Sequence, residues 1–186
     1  MTTLSIFHTH NPSAAGTVTS DAVEIGQLLN NVGVRFERWP TQDLPADASP
    51  EQILEAYSEE VAKLKAESGF QTADVVSLNP GNPQKEAFRQ KFLDEHTHSE
   101  DEVRFFVRGQ GIFYLHLGDQ VFAVQCQRND LISVPEGTRH WFDMGPEPEF
   151  TCIRLFTNPE GWVAEFTGED IAERLPRFEA LERTTL

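Results

Sequence analysis

His96-Thr97-His98-Ser99-Glu100-Asp101-Glu102-Val103-Arg104 is the stretch on which the reading of this chain turns. Alternate side chains of an extended chain share a face, so His96 and His98 point the same way. Glu102 and Arg104 share a face too, and join the histidines if the chain stays extended through the acidic run. Further on, Pro135-Glu136-Gly137-Thr138-Arg139 leads into His140. After His96, short apolar runs are separated by Gly109-Gln110-Gly111, Gly118-Asp119, Arg128-Asn129-Asp130, Pro135-Glu136-Gly137 and Gly145-Pro146. Breaks at intervals of about 8–12 residues predict a β-sandwich or small barrel. Gly118-Asp119 suits a two-residue hairpin turn, and Gly109-Gln110-Gly111 also reads as a hairpin.

The first ninety residues have a different texture, helical and mixed. Asp21 with Glu24 resembles a capping box, and Ile25, Leu28, Leu29 and Val32 form a stripe that stops at Gly33. Val34 to Trp39 reads as a strand ended by Pro40. Ser49-Pro50-Glu51-Gln52 starts a helix whose stripe carries it to about Gly69. Ala73 to Leu78 reads as a strand, and Asn82-Pro83 opens a short helix to about Phe92. Glu169 to Leu181 predicts a closing helix that Pro176 interrupts. The expectation is one domain over 1–186: a helical and mixed part to residue 92, a β-barrel core over 93–167 and a C-terminal helix over 168–186.

Composition narrows the classes of partner. The 186 residues include 14 Phe and 3 Trp, enough apolar surface for a packed core. Fifteen basic residues against 30 acidic ones leave a formal charge of −15. Such a surface repels phosphate backbones and anionic lipid heads, which argues against nucleic acid and membrane partners. It also favours a monomer. The N-terminus lacks a secretion signal, and Cys126 and Cys152 form no CxxC pair, so a cytoplasmic protein with buried, reduced cysteines is expected.

Three neutral imidazoles and one hard carboxylate suit a divalent first-row transition metal and leave two positions of an octahedron open for substrate or oxygen. A structural zinc site would instead be closed, tetrahedral and usually built with cysteines. His8-Thr9-His10 is a second HxH pair, but it has no carboxylate at matching spacing and reads as an ordinary surface pair. His116 reads as a satisfied histidine, and Glu100-Asp101 as a solvated loop.

The pattern His-x-His-x3-Glu-x6-Gly (His96, His98, Glu102, Gly109) followed by Pro135-x-Gly137-x2-His140 resembles the two cupin motifs. The surroundings from Phe92 to Gly111 are similar to the acireductone dioxygenase family of methionine salvage. Gln90, Asn129 and Met144 depart from the general cupin pattern at turn and packing positions, none of them a ligand. The resemblance implies a mainly β, cupin-type barrel with additional helices. It also implies that His96, His98, Glu102 and His140 bind one Fe²⁺ or Ni²⁺, and that Arg104, Phe92, Phe142 and Trp162 line the substrate pocket. Cobalt and manganese would also accept this donor set. Arg104, as the catalytic cation, would stabilise an anionic enediolate. The implied activity is cleavage of an acireductone by O2. With iron it yields formate and a 2-keto acid, and with nickel formate, carbon monoxide and a shorter carboxylic acid. A different metal-cupin enzyme, such as another enediol dioxygenase or a sugar-phosphate isomerase, is the alternative, and a non-catalytic metal-binding barrel is the third.

Overall fold

The computed structural model describes residues 1–158 and 163–184. The chain opens with β1 (Thr3–His8) and β2 (Asn11–Thr19), then α1 (Ala22–Asn31) and β3 (Arg35–Arg38). Next come α2 (Pro50–Ala56), α3 (Ser58–Ser68), β4 (Thr72–Leu78) and α4 (Lys85–Leu93). The strand-rich part is β5 (His96–Thr97), β6 (Glu102–Leu117), β7 (Gln120–Gln127), β8 (Asp130–Val134), β9 (Arg139–Asp143), β10 (Phe150–Phe156) and β11 (Glu165–Phe166). Two short helices, α5 (Ile171–Arg174) and α6 (Phe178–Thr184), follow.

The helix starts obey local chemistry. Asp21 caps α1 by accepting the N–H groups of Val23 and Glu24, both at 2.9 Å. Ser49 and Gln52 form a full capping box at α2, with Pro50 in the first turn. The single helix predicted from Ser49 to Gly69 is divided at Tyr57, which leaves the helical region and packs its ring 4.8 Å from Phe105. The predicted break at Pro176 separates α5 from α6, and the Pro176 carbonyl accepts a 2.8 Å hydrogen bond from the Tyr114 hydroxyl.

The strands are all antiparallel and form two layers that share β6. One runs β11-β5-β9-β6-β7-β1-β2; in the other, β10 and β8 flank β6, with β4 and β3 outside them. This is the mainly β barrel with added helices that the sequence predicts. Two expectations need correction. The first ninety residues hold β1 and β2 as well as the strands foreseen there, and β1 pairs with β7 over Thr3–His8. Gly109-Gln110-Gly111 is no hairpin: it lies inside the 16-residue β6, where that strand passes from one layer to the other.

The crossing reverses the parity of β6. Before it, Phe106 joins the core between the layers while Val103, Phe105 and Val107 face outward under α2 and α3. After it, Phe113 and Leu115 face the core while Ile112 and Tyr114 face outward under α5 and α6. The glycines make this possible. Gly109 sits at φ 71°, and a Cβ there would fall 1.8 Å from the Glu149 carbonyl oxygen. A Cβ on Gly111 would fall 2.2 Å from the Phe142 ring. Where the bend places the chain, only glycine fits.

Helix α4 is held in place by charge. The partly buried Arg89 guanidinium bonds Asp143 on β9 at 2.8 and 3.1 Å and Glu179 on α6 at 2.8 and 2.9 Å. Its neighbours Lys91 and Phe92 are therefore presented at a fixed place. Among the described residues, no helix is long and apolar enough to cross a membrane.

Gly109→Ala must accept both a left-handed backbone and a backbone clash, and should cost about 3 kcal/mol of stability. Urea unfolding monitored by tryptophan fluorescence measures it; a change below about 0.5 kcal/mol would show that the bend tolerates a side chain.

Candidate metal centre

β5 and β9 bring the histidines together. His96 and His140 are direct cross-strand partners in this antiparallel pair, so their side chains stand on one face. His98 follows at the end of β5, and Glu102 begins β6 opposite Val134. All four side chains are buried, and one ligand atom from each lies within 4.8 Å of the others. The ring centroids of the histidines are 4.6–5.1 Å apart.

Each imidazole is fixed from behind by a backbone carbonyl. His96 Nδ1 bonds the Asp94 oxygen at 2.7 Å, His98 Nδ1 the Val163 oxygen at 2.9 Å, and His140 Nδ1 the Thr138 oxygen at 2.7 Å. A carbonyl only accepts, so each Nδ1 carries the proton and each neutral ring turns a bare Nε2 lone pair inward. Glu102 Oε2 lies 2.9 Å from His98 Nε2 and 3.0 Å from His140 Nε2. Lone pairs at that distance repel unless a proton or a cation lies between them. Two ligands bound at right angles with bonds of about 2.1 Å stand about 3.0 Å apart, so the spacing suits a six-coordinate ion. The residues present fit one metal ion with positions to spare.

Without a cation the site balances its charge through protons. Burial, reinforced by His140, holds His96 down at about 4. Burial opposes a charge on His98 as well, but its contact with Glu102 outweighs this and raises it. Burial alone would raise Glu102; Arg104, His140 and His98 instead hold its carboxyl well below the usual carboxylate range.

Arg104 Nε lies 2.9 Å from Glu102 Oε1. Its guanidinium carbon sits 4.7 Å from the centre of the Phe142 ring, 5.4 Å from that of Phe113 and 5.8 Å from that of Phe92. This arginine is held by a carboxylate and by aromatic faces together. Beside it opens a cavity of about 790 Å³ lined by residues that include Phe92, His96, His98, Glu102, Arg104, Arg154, Phe156 and Phe166. Phe92 forms part of that wall as expected. Phe142 is placed differently: opposite Phe113 on β6, it packs in the core between the layers and supports Arg104 from behind. Trp162 lies outside the described residues.

Other candidates take structural roles. The acidic run is tied down: Glu100 accepts from Thr157 N–H, Thr157 Oγ1 and Asn158 N–H at 2.6–3.1 Å, and Asp101 accepts from Glu136 N–H at 2.9 Å. These bonds hold the bend between His98 and Glu102. His116 is satisfied by the buried Glu95 carboxylate at 2.5 Å. His8 ends β1 with its ring 5.2 Å from that of His10. Burial pushes the Cys126 thiol up and that of Cys152 to about 12, so neither is nucleophilic. Arg154 and Phe156, which line the cavity, escaped the sequence reading. The signal was present in the alternation Cys152-Arg154-Phe156, which puts a charge at an inward position of a core strand.

The profile of the ARD/ARD′ family matches residues 16–164. The chain belongs to the ARD/ARD′ family. Family members of high similarity include the acireductone dioxygenase of Marinobacter nauticus, 74% identical over 97% of this chain and 98% of the relative. That of Hahella chejuensis is 66% identical with the same coverage. Among solved structures, an acireductone dioxygenase from Bacillus anthracis with a cadmium ion in its active centre superposes with a TM-score of 0.77. It is 34% identical and covers 89% of this chain and 98% of its own. Family membership and the cluster geometry agree on a site for one metal ion.

Protons and metal compete for the same Nε2 atoms. With His98 raised above 6.5 in the metal-free protein, metal affinity should begin to fall while the pH is still above 6.5, and bound metal should be gone below about 4, where His96 also takes a proton. Elemental analysis after dialysis at stepped pH follows this; occupancy unchanged down to pH 4 would contradict it. His140→Ala should lose most of the metal at neutral pH.

Proposed function

We propose that this chain is a metal-dependent dioxygenase that cleaves an acireductone, 1,2-dihydroxy-3-keto-5-methylthiopentene, with O2 in methionine salvage. The observation that carries the reading is an open set of three imidazoles and one carboxylate on the wall of a cavity, in a chain 74% identical to an acireductone dioxygenase over nearly its whole length. His96, His98, Glu102 and His140 would hold one Fe²⁺ or Ni²⁺, with cobalt or manganese also accepted. A metal held there would supply Lewis-acid neutralisation of the enediolate's charge. Iron gives 4-methylthio-2-oxobutanoate and formate; nickel gives 3-methylthiopropanoate, formate and carbon monoxide.

The chain's own residues do the rest. Arg104 is the catalytic cation: its guanidinium is already fixed by Glu102 and Phe142, so it stabilises developing negative charge without reorganising. Phe92, Phe156, Val163 and Phe166 offer an apolar wall against which the methylthio tail can pack. Bonding each Nδ1 to a carbonyl fixes the tautomer and keeps all three Nε2 atoms pointed inward while substrate exchanges. The protein acts in the cytoplasm as a monomer, a state favoured by its charge of −15.

Oxygen uptake by iron-loaded protein supplied with anaerobically generated acireductone tests the reading, with formate as product and carbon monoxide only after nickel loading. Metal binding without oxygen uptake would overturn it. Arg104→Ala should lower kcat/KM by about 100-fold or more, and unchanged turnover would remove Arg104 from the reaction.

A further inference from the structure

The substrate of the proposed reaction is an anion, and the protein that must admit it carries a formal charge of −15. Long-range repulsion therefore works against entry, and local positive charges at the cavity have to offset it. Among the described residues, Lys91 and Arg154 are the cations that line the cavity besides Arg104. Arg154 stands on β10 directly opposite Arg104 on β6 and opposite Asp74 on β4, so the three side chains form a row on one face. Asp74 holds Arg154 in a two-pronged pair at 2.8 and 2.6 Å, and the Arg154 guanidinium lies 5.1 Å from the centre of the Phe156 ring. Lys91, exposed in the last turn of α4, has its ammonium 5.8 Å from the centre of the Phe92 ring. Among the described residues it takes part in no ion pair within 4.0 Å. All of these residues line the same cavity as His96, His98 and Glu102.

We propose that Lys91 and Arg154 form an outer cationic rim that concentrates the anionic substrate at the cavity mouth, with Asp74 setting its strength by neutralising Arg154. The proposal rests on the acireductone reading for the identity of the substrate, but its physical content is attraction of a small chelating anion. The rim acts before chemistry, on entry and binding. It touches no reacting atom, so it shifts KM and leaves kcat alone. Its reach is set by the salt: charges separated by about 10 Å still interact in dilute buffer and are screened near 1 M.

Lys91→Met removes one rim cation, and Asp74→Asn removes the negative charge set against Arg154 while keeping the shape of its partner. Lys63→Met, at an exposed position of α3 that does not line the cavity, controls for net charge alone. Steady-state kinetics are read at about 0.02 M and about 1 M salt. Oxalate binding to the cobalt-loaded protein, followed by the visible absorption of the metal, gives a readout that needs no turnover. At low salt, Lys91→Met should raise KM and the oxalate Kd about threefold, and Asp74→Asn should lower both by a similar factor, with kcat unchanged. At high salt both differences should vanish, and Lys63→Met should match the unaltered protein throughout. Lys91→Met and Asp74→Asn indistinguishable from Lys63→Met, or effects that persist at high salt, would overturn the rim. Oxalate binding that follows the rim in a protein that consumes no oxygen with acireductone would uphold the rim and overturn the acireductone reading.

Discussion

Lone pairs aimed at one another are the constraint around which this molecule is organised. Three backbone carbonyls, from Asp94, Thr138 and Val163, each take an imidazole Nδ1 proton and so force the opposite nitrogen to face the centre bare. Glu102 places its own oxygen 2.9–3.0 Å from two of those nitrogens in a buried setting. Leaving such groups together without a cation is unfavourable, and in a metal-free protein the cost is lessened only by protonating a ring. The fold holds an arrangement that makes electrostatic sense chiefly with a cation at its centre.

Much of the rest serves to make that arrangement rigid. Direct pairing of His96 with His140 sets two ligands by sheet register rather than by loop conformation. Glu100 and Asp101, the acidic run between His98 and Glu102, spend their carboxylates on the neighbouring loops and so fix the bend between the other two. The bend of β6 at Gly109 and Gly111 lets one strand contribute Glu102 and Arg104 to the cavity at one end and Phe113 beneath Arg104 at the other. Phe142 fills the space beside Gly111 and supports the guanidinium, so core packing and site geometry are parts of one arrangement.

Legibility in the sequence followed the range of the interactions. The helix caps at Asp21 and Ser49 and the turn at Gly118-Asp119 are local chemistry and could be read directly. The HxH spacing is local and legible. Glu102, however, comes alongside the histidines through a bend at residues 99–101 rather than through an extended chain, and the fourth member, His140, is implied by the cupin-motif resemblance. β1 and β2 were not legible: Pro12, Ala14, Ala15 and Gly16 have no strand preference, and Asn11–Thr19 is extended only because β1 pairs with it. Gly109-Gln110-Gly111 misled because glycines that permit a close approach look in sequence like glycines that permit a turn. Phe142 does share a face with His140, but two residues further along β9 that face, opposite Phe113, is packed core rather than cavity wall. The Nδ1 carbonyl contacts, which fix the tautomers, have no side-chain signature at all.

X-ray absorption at the metal edge of the iron- or nickel-loaded protein addresses the centre itself. The account predicts six light-atom neighbours at about 2.0–2.2 Å, with the outer-shell scattering of three imidazoles. A four-coordinate ion, or one with fewer than three imidazoles, would contradict it.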